Sequence, residues 1–236
     1  MRAGLIQRVV EPELLDELLP ADPRAVRARR YLHRVNALMR NHTMMAELLR
    51  TGANGQTPKN LADLGAGAGD FLLGVARRLS PEWTAVSASL IDRQNVASSS
   101  KLTKFSELGW RAEFVFRDAF DWLRDASKNP PEVVMTNLFL HEFENPRIAT
   151  LLYEVAKFAK LFVAIEPRRA RWPLFCSRLL WLMGCNQITR HDGVASVRAG
   201  FVGCELSALW PANNEWVLTE QSGGLFSHVF VARRRA

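Results

Sequence analysis

Asp63-Leu64-Gly65-Ala66-Gly67-Ala68-Gly69-Asp70 is the stretch of sequence that decides the fold. It lies between an apolar run that ends at Leu64 and an amphipathic run that begins at Phe71. Three glycines at alternating positions allow the backbone to turn sharply and to approach a ligand, because glycine carries no Cβ atom. A helix that begins directly after such a turn presents free N–H groups and the positive end of its dipole. The stretch therefore predicts a first β-strand, a turn that holds a polar or anionic ligand, and a helix.

The order of the glycines argues against the two commonest nucleotide-binding turns. A dinucleotide-binding turn needs glycines at its first, third and sixth positions, and Asp70 stands where the third glycine would fall. No Lys-Ser or Lys-Thr pair follows, so the turn is not a phosphate-binding P-loop. The carboxylate of Asp63 would repel a pyrophosphate, whereas it suits a cationic amine. An NADP-dependent reductase is therefore disfavoured.

Length and composition are those of one globular α/β domain. The chain has 236 residues, of which 48% are hydrophobic and 23% are charged. Its formal net charge of +7 permits a nucleic-acid or an anionic-surface partner, although a soluble enzyme rich in arginine explains it more simply.

Targeting and cysteine signals point to a cytoplasmic protein. We find no uncharged apolar run of the roughly 20 residues that a membrane span needs, and we expect no signal peptide. The three cysteines, Cys176, Cys185 and Cys204, have neither metal-ligand spacing nor an even number for pairing, which predicts reduced thiols. No His, Cys or carboxylate cluster has metal-ligand spacing either, so we expect no metal.

The first 57 residues are predicted to form a helical cap. A short helical run follows Pro12, and Asp22-Pro23 is a typical start for a longer helix. Asn41 or Thr43 would cap a further helix that ends near Gly52. Asn36 falls on the apolar stripe of the longer helix, where it is either a core residue bonded to backbone or a substrate contact.

Residues 58–236 alternate strand-like and helical patterns, which predicts a mostly parallel sheet with helices on both faces. The predicted strands cover residues 60–64, 84–91, 112–116, 132–140 and 161–165, followed by a closing pair at 216–219 and 226–232. One helix is expected over Asp192–Phe201.

Asp92 follows the second predicted strand, about 20 residues after the glycine turn, where a carboxylate can accept hydrogen bonds from both hydroxyls of a ribose. The alternative is a simple helix cap, since a helical stretch follows. Arg93, beside it, could pair with a 2′-phosphate, so a cofactor that carries this group stays a possible alternative.

An acidic residue, an apolar residue and then G-x-G-x-G resembles the first motif of the class I S-adenosylmethionine (SAM) methyltransferases, of the bacterial small-molecule type. The resemblance implies a Rossmann-like seven-stranded sheet whose last strand is antiparallel, and it covers about residues 58 to 233. It also implies that SAM is the cofactor and that its methionine moiety lies at Asp63 and the turn. The turn residues concerned are Gly65, Ala66, Gly67 and Gly69.

Later elements carry the same resemblance. By analogy with the family, Asp118 holds the adenine amine, and Ala119 and Phe120 wall the ring. Asn137-Leu138-Phe139-Leu140-His141 resembles the fourth motif of small-molecule methyltransferases, which passes under the sulfonium and opens on the substrate. This segment lacks the Asn/Asp-Pro-Pro-aromatic motif of enzymes that methylate the amino groups of nucleic acids.

Two histidines are candidates for acceptor chemistry. His141 is the best candidate general base, because its unperturbed pKa lies near neutrality, and Glu142 would orient it. The alternative for His141 is a pocket-lining residue that transfers no proton. His191 with Asp192 forms a second candidate pair, and Glu166 at the end of the fifth strand is a further expected substrate contact.

The insertion at residues 172–184 is strongly apolar. It could be a buried helix, line or cover a hydrophobic pocket, or touch a membrane surface. Together these features predict methyl transfer to a small apolar acceptor, with the hydroxyl of a phenolic or polyketide-like compound first and the carbon of a quinone precursor second.

Two other functions stay open. The first is an RNA methyltransferase, which the fourth motif of this chain argues against. Such an enzyme would use the arginines near residues 24–34 and 168–171 to bind nucleic acid. A non-catalytic SAM-binding module would bind the cofactor without turnover. The sequence leaves the oligomeric state open.

Overall fold

A seven-stranded sheet is the centre of the protein in its computed structural model. The structure describes residues 5, 7–15, 18–19, 22–95, 99–126, 129–179 and 184–235, without the side chains of residues 32, 33, 35–38 and 99. The strand order is β3-β2-β1-β4-β5-β7-β6, and β7 runs antiparallel to both of its neighbours while the other pairs are parallel. The predicted sheet with an antiparallel last strand is confirmed. The strands are β1 Asn60–Leu64, β2 Ser87–Asp92, β3 Arg111–Phe116, β4 Val133–Asn137, β5 Leu161–Pro167, β6 Trp216–Gly223 and β7 Ser227–Arg234.

Helices cover both faces of the sheet, as predicted. The helices α2, α3 and α4 pack on one face, and α5 and α6 pack on the other. The helices in the described residues are α1 Pro23–Leu38, α2 Asn41–Gly52, α3 Asp70–Leu79, α4 Ser99–Glu107, α5 Ala119–Ala126, α6 Asn145–Phe158, α7 Arg171–Arg178 and α8 Gln187–Ala199, with short 3-10 turns at Leu140–Glu142 and Ser207–Leu209.

The central strands are buried on both sides, and their side chains alternate between two cores. In β4, Val133 and Met135 belong to the core under α2 and α3, whereas Val134 belongs to the core under α5 and α6. This alternation follows from the two-residue period of a strand, and burial on both faces explains the continuous apolar run of the sequence.

Most strand boundaries and the start of α8 shift by a few residues from the prediction, and three of the differences have a local cause. β2 begins at Ser87 rather than at residue 84, after Ala85 with a φ of 61°. β4 ends at Asn137 rather than at residue 140, because Leu138 has a φ of 54°, which a strand cannot contain. α8 begins at Gln187, where the Asn186 side chain accepts from the backbone N–H of residue 189 at 2.9 Å, instead of at Asp192.

The N-terminal region departs further from the prediction. Residues 12–15 form no helix, and Leu14 and Leu15 lie in a turn, so the expected helical run is wrong over the described residues. Neither Asn41 nor Thr43 caps α2, because Arg40 precedes the helix in the left-handed conformation and Asn41 is its first residue.

α2 is built into the main core rather than set above it. Met45, Ala46 and Leu49 are buried against the sheet and α3. α2 therefore shares its core with the region that follows residue 57. The predicted division of the chain at residue 57 into a helical cap and a second domain stays a prediction.

The apolar insertion forms α7, and residues 180–183 lie outside the described part. Trp172 and Phe175 of α7 are each 53% exposed, so this helix is not the fully buried one that was considered. Over the residues that the structure describes, no helix is both long enough and apolar enough to cross a membrane.

Candidate active site at the carboxyl edge of the sheet

A cavity of about 290 Å³ lies where β1, β2, β3 and β4 end. The carboxyl ends of parallel strands meet at one edge, which is where open α/β sheets bind ligands. The walls come from the loops after these strands, from α1 and α2, and from residues near the N-terminus. From the strand ends, the lining residues include Gly65, Ala66, Gly67, Asp92, Arg93, Asp118, Ala119, Phe120, Asn137 and Leu138.

The glycine turn is fastened to the end of β2. The backbone N–H groups of Gly65 and Ala66 both donate to the Ile91 carbonyl, at 2.9 and 3.1 Å. The N–H of Gly67 donates to Oδ2 of Asp92 at 2.8 Å. The turn and the carboxylate predicted to bind ribose therefore form one unit.

The three glycines of the turn serve different purposes, although all have positive φ. A Cβ atom on Gly65 would lie 2.4 Å from the ring of Phe139, and one on Gly69 would lie 2.6 Å from Leu90. A Cβ atom on Gly67 would meet nothing within 4 Å. Gly65 and Gly69 thus permit close packing, whereas Gly67 keeps the backbone accessible to a ligand.

Asp92 and Asp118 each combine a backbone-binding role with a place in the cavity wall. Oδ1 of Asp92 accepts from the N–H of Gln94 at 2.7 Å. Oδ1 of Asp118 accepts from the N–H of Phe120 at 2.8 Å, at the start of α5. The helix-cap and ligand-binding interpretations of these carboxylates are therefore compatible.

Asp63 lies behind the cavity wall, with 2% of its surface exposed. Burial, and secondarily the charge of Asp92, raises the pKa of Asp63 well above its usual range. Its Oδ2 atom has no hydrogen-bond partner among the residues that the structure describes. A buried oxygen without a partner is costly, so the site suits a ligand group or an ordered water that donates to it.

Several residues in or beside the cavity wall were not found by sequence reasoning. Nζ of Lys101 on α4 donates to the Ala68 carbonyl at 2.7 Å and to Asp70 at 2.6 Å, and so holds the outer side of the glycine turn. Asn41 donates to Oδ1 of Asn137 at 3.2 Å. Arg29 and His42 also line the cavity. None of these residues stands in a motif, so no sequence signal identified them.

Glu166 shapes the loop after β4 and does not line the cavity. Its Oε1 atom accepts from the backbone N–H groups of Phe139 and Leu140, at 3.1 and 2.9 Å. Its Oε2 atom lies 2.9 Å from Nδ1 of His141. This fully buried carboxylate therefore sets both the backbone of the loop and the orientation of the imidazole.

His141 lies between two carboxylates. Its Nε2 atom is 3.2 Å from Oε1 of Glu13, which also accepts from Ser196 at 2.5 Å. Burial alone would lower the pKa of His141, but its hydrogen bonds with Glu13 and Glu166 raise that pKa to about 10. Burial would raise the pKa of Glu13, yet its bonds to His141 and Ser196 lower it. Carboxylates at both ring nitrogens favour the imidazolium form of His141, so its role as a general base stays a prediction.

Residues 8–15, which we call the N-terminal strap, close the far end of the cavity. Arg8 donates to the carbonyls of Ala199 and Phe143, both at 2.8 Å, and its guanidinium lies 4.4 Å from the centre of the Phe201 ring. The strap carries Glu13 into the cavity wall.

Asp192 holds the other end of the strap. Its two carboxylate oxygens accept from the N–H groups of Leu14 and Leu15, at 2.9 and 3.1 Å. His191, its predicted catalytic partner, lies 3.1 Å from Oδ1 of Asp192, is 46% exposed and does not line the cavity. Glu142 does line the cavity, whereas the side chain of Asn36 lies outside the described residues.

No family model and no curated protein matches the sequence. Solved structures do match. The plantazolicin methyltransferase BpumL in complex with SAH is 14% identical over 91% of this chain and 92% of its own, with a TM-score of 0.64. An O-methyltransferase family protein from Burkholderia thailandensis is 18% identical over 92% of this chain and 61% of its own, with a TM-score of 0.58. The magnesium protoporphyrin IX methyltransferase ChlM from Synechocystis, with bound SAM, is 10% identical over 91% and 85%, with a TM-score of 0.55.

The fold is that of the class I methyltransferases. This methyltransferase fold brings the glycine turn, Asp92, Asp118 and Asn137 around one cavity, as the sequence predicted. It places Glu13 and Ser196 on the wall of the same cavity, which the sequence did not indicate. In the described part of the chain, no group of three or more His, Cys, Asp or Glu side chains is arranged to hold a metal.

Proposed function

We propose that this chain is a SAM-dependent methyltransferase that acts on a small apolar acceptor. The observation that carries the proposal is the cavity of the methyltransferase fold, which the residues after four successive strands line and where no side chain covers the backbone of Gly67. When bound, SAM supplies a methyl group on a positively charged sulfur, ready for in-line displacement. The residues of the chain then have to bind the cofactor and the acceptor, align the two reacting atoms and exclude water from them.

The residues at the strand ends would hold the cofactor in order along the sheet. The glycine turn, with Asp63 behind it, would bind the methionine moiety, and Asp92 with Arg93 beside it would bind the ribose. Asp118, Ala119 and Phe120 would enclose the adenine. Asn137 and Leu138 would lie beneath the reacting sulfur, where the left-handed conformation of Leu138 ends β4 and turns the chain.

The far end of the cavity suits an aromatic acceptor with a hydroxyl group. The apolar wall of the cavity includes Leu15, Phe139 and Phe143. The two phenylalanine rings pack edge-on with their centroids 5.0 Å apart, and the Phe139 ring lies against Gly65. Glu13 and Ser196 supply polar atoms beside this wall. Aromatic walls with a few polar groups are typical of small-molecule sites. We therefore favour a phenolic or polyketide-like hydroxyl, with a carbon of a quinone precursor as the second candidate.

Glu13, rather than His141, is our candidate for the proton acceptor. Its carboxylate is ionised at neutral pH because its bonds to His141 and Ser196 lower its pKa. As the acceptor oxygen gains the methyl group its own proton becomes strongly acidic, so a weakly basic carboxylate suffices to take it. The proton then passes from Glu13 to solvent. His141 positions Glu13, and Glu142 remains a candidate contact in the same wall.

Calorimetric titration with S-adenosylhomocysteine (SAH) and with NADPH tests the cofactor. We expect SAH to bind and NADPH not to bind. Asp92→Ala should weaken SAH binding about tenfold to a hundredfold, because a charged hydrogen-bond acceptor is lost. Glu113→Ala, which removes an exposed carboxylate bonded to Ser89 on the same sheet, is the matched control. Binding of NADPH in place of SAH would overturn the proposal.

Transfer of radiolabelled methyl groups from SAM to panels of phenols, quinols and total RNA tests the acceptor. Labelled phenols would support the proposed class, and labelled quinol carbons would support the second candidate. Labelled RNA alone would show that the acceptor class is wrong. SAH binding without any labelled product from an extract of small molecules would indicate a non-catalytic SAM-binding module.

A further inference from the structure

The outer face of α7 is unusual for the surface of a soluble domain. Pro173 and Ser177 face inward and are buried, whereas Trp172 and Phe175 face outward and are each 53% exposed. The rings of Trp172 and Phe175 stack on each other at 5.7 Å. Two large stacked rings exposed to water form a local apolar patch, which commonly marks an interaction site.

Positive charge surrounds this patch. Arg171 and Arg178 are exposed, and their spacing from Phe175 places all three on one side of the helix. Neither arginine forms an ion pair with another residue in the described part of the chain, and α7 contains no acidic residue. Arg190 on the adjacent α8 is exposed as well. Aromatic rings are thus flanked by guanidinium groups with no carboxylate on the same helix.

We propose that this face of α7 binds the surface of an anionic lipid bilayer. Aromatic rings favour the boundary between headgroups and acyl chains, and arginines beside them are attracted to negatively charged lipid headgroups. A second copy of the chain fits the face less well, because self-association would bring the arginines of both copies together. An anionic bilayer satisfies the rings and the charges at once.

The helix that carries this face begins close in sequence to the cavity wall. Pro167 at the end of β5 lines the cavity, and α7 begins shortly after it at Arg171. Binding to a bilayer would therefore hold the cavity close to lipid-soluble compounds. This last step rests on the proposed function, whereas bilayer binding itself does not.

Co-sedimentation with phosphatidylglycerol vesicles and with phosphatidylcholine vesicles tests the inference, with no SAM or acceptor present. We expect binding to the anionic vesicles only, and we expect high salt to weaken it. Trp172→Ser combined with Phe175→Ser should lower the partition coefficient about tenfold. Arg171→Glu combined with Arg178→Glu should lower it by at least about fivefold for each arginine. Tyr153→Ser removes a 55% exposed ring from α6 and should leave binding unchanged.

Circular dichroism and urea denaturation of each variant separate loss of binding from loss of folding. The inference would be overturned by a lack of binding to anionic vesicles or by binding that the two double variants retain. Binding of total RNA by the α7 face in the absence of vesicle binding would overturn it as well. Self-association that both double variants abolish, without vesicle binding, would also overturn it and assign the face to a second copy. Because no cofactor is used, failure here leaves the methyltransferase proposal untouched.

Discussion

The Glu13–His141–Glu166 group is a buried cation held between two carboxylates. Glu166 is inaccessible to solvent and 4% of His141 is exposed. Isolated charges in such a place would be strongly unfavourable, and each is tolerated here because the others compensate it. The group connects the N-terminal strap, the loop after β4 and the end of β5. Its charge state therefore affects the stability of all three.

Replacing His141 should change how stability depends on pH. The pKa of His141 is raised from 6.5 to about 10 in the folded protein, so protonation stabilises the fold fully below pH 6.5. That contribution is lost as pH rises from 6.5 through about 10, by at most about 1.4 kcal/mol per pH unit. His141→Gln lacks it at every pH. We expect the gap between the urea midpoints of wild type and variant to narrow steadily from pH 7 to pH 10.

Titrating groups that do not contact His141 are common to both proteins and cancel in the difference. Glu13 does contact it, so the same measurement on Glu13→Gln shows how much of the change comes from that carboxyl. A gap that stays constant from pH 7 to pH 10 would mean that His141 is neutral in the folded protein. It would then be available as the general base that the sequence suggested.

The glycine turn is the element whose local geometry gives the sharpest test. Gly65→Ala would push a Cβ atom into the Phe139 ring and should reduce the free energy of unfolding by about 2–4 kcal/mol. Gly67→Ala meets no neighbour, so only its positive φ matters, at about 1–2 kcal/mol. Urea denaturation measures the free energy of unfolding of both variants.

Gly67→Ala should nevertheless weaken SAH binding about tenfold or more, as measured by calorimetry, because its Cβ atom fills the ligand's approach to the backbone. If both changes destabilised the protein equally and Gly67→Ala left the SAH affinity unchanged, the assignment of a packing role to Gly65 and a ligand-access role to Gly67 would be refuted.

Arg8 is the residue that holds the N-terminal strap. Its donors reach carbonyls in α8 and in the segment before α6, so Arg8→Ala should free the strap at little cost to the sheet. Loss of these hydrogen bonds should speed chymotrypsin cleavage at Leu14 and Leu15 about tenfold or more, as followed by mass spectrometry. Arg24→Ala is the control, since the side chain of Arg24 is exposed and, among the described residues, bonds only to its neighbour Asp22. Equal cleavage rates in both variants would show that Arg8 does not hold the strap.

Among the elements, those set by local sequence were predictable and those set by distant partners were not. The turn before α3 follows from its own glycines, and Asp92 and Asp118 from their place after strands. The end of β4 depends on Glu166, a residue of another strand, which binds the following loop. The strap depends on Asp192 in α8, far away in sequence. No periodicity or motif encodes such pairings, so the expected helix after Pro12 was wrong.

At the scale of the whole molecule, the sheet could be predicted because its strands are apolar runs separated by helices, and such chains have few possible topologies. The residues proposed to hold the cofactor could be predicted, because they stand at strand ends. Those proposed to meet the acceptor could not, because Glu13 and Leu15 are far in sequence from Ser196 in α8 and line the same cavity only in the folded protein. A sequence therefore indicates the shared chemistry of this fold more readily than the acceptor that distinguishes one enzyme from another.

SAH binding should stabilise the whole molecule, because one ligand would touch the ends of four strands that unfold together. At a concentration about 100 times its dissociation constant, SAH should add about 2.7 kcal/mol, which raises the melting temperature of a chain this long by about 5–10 °C. Arg8→Ala should show a rise of the same size, since the strap lies at the acceptor end. NADPH at the same concentration should produce none. If SAH shifted the wild type but not Arg8→Ala in differential scanning calorimetry, the strap would belong to the cofactor site, and the division of the cavity into a cofactor half and an acceptor half would fail.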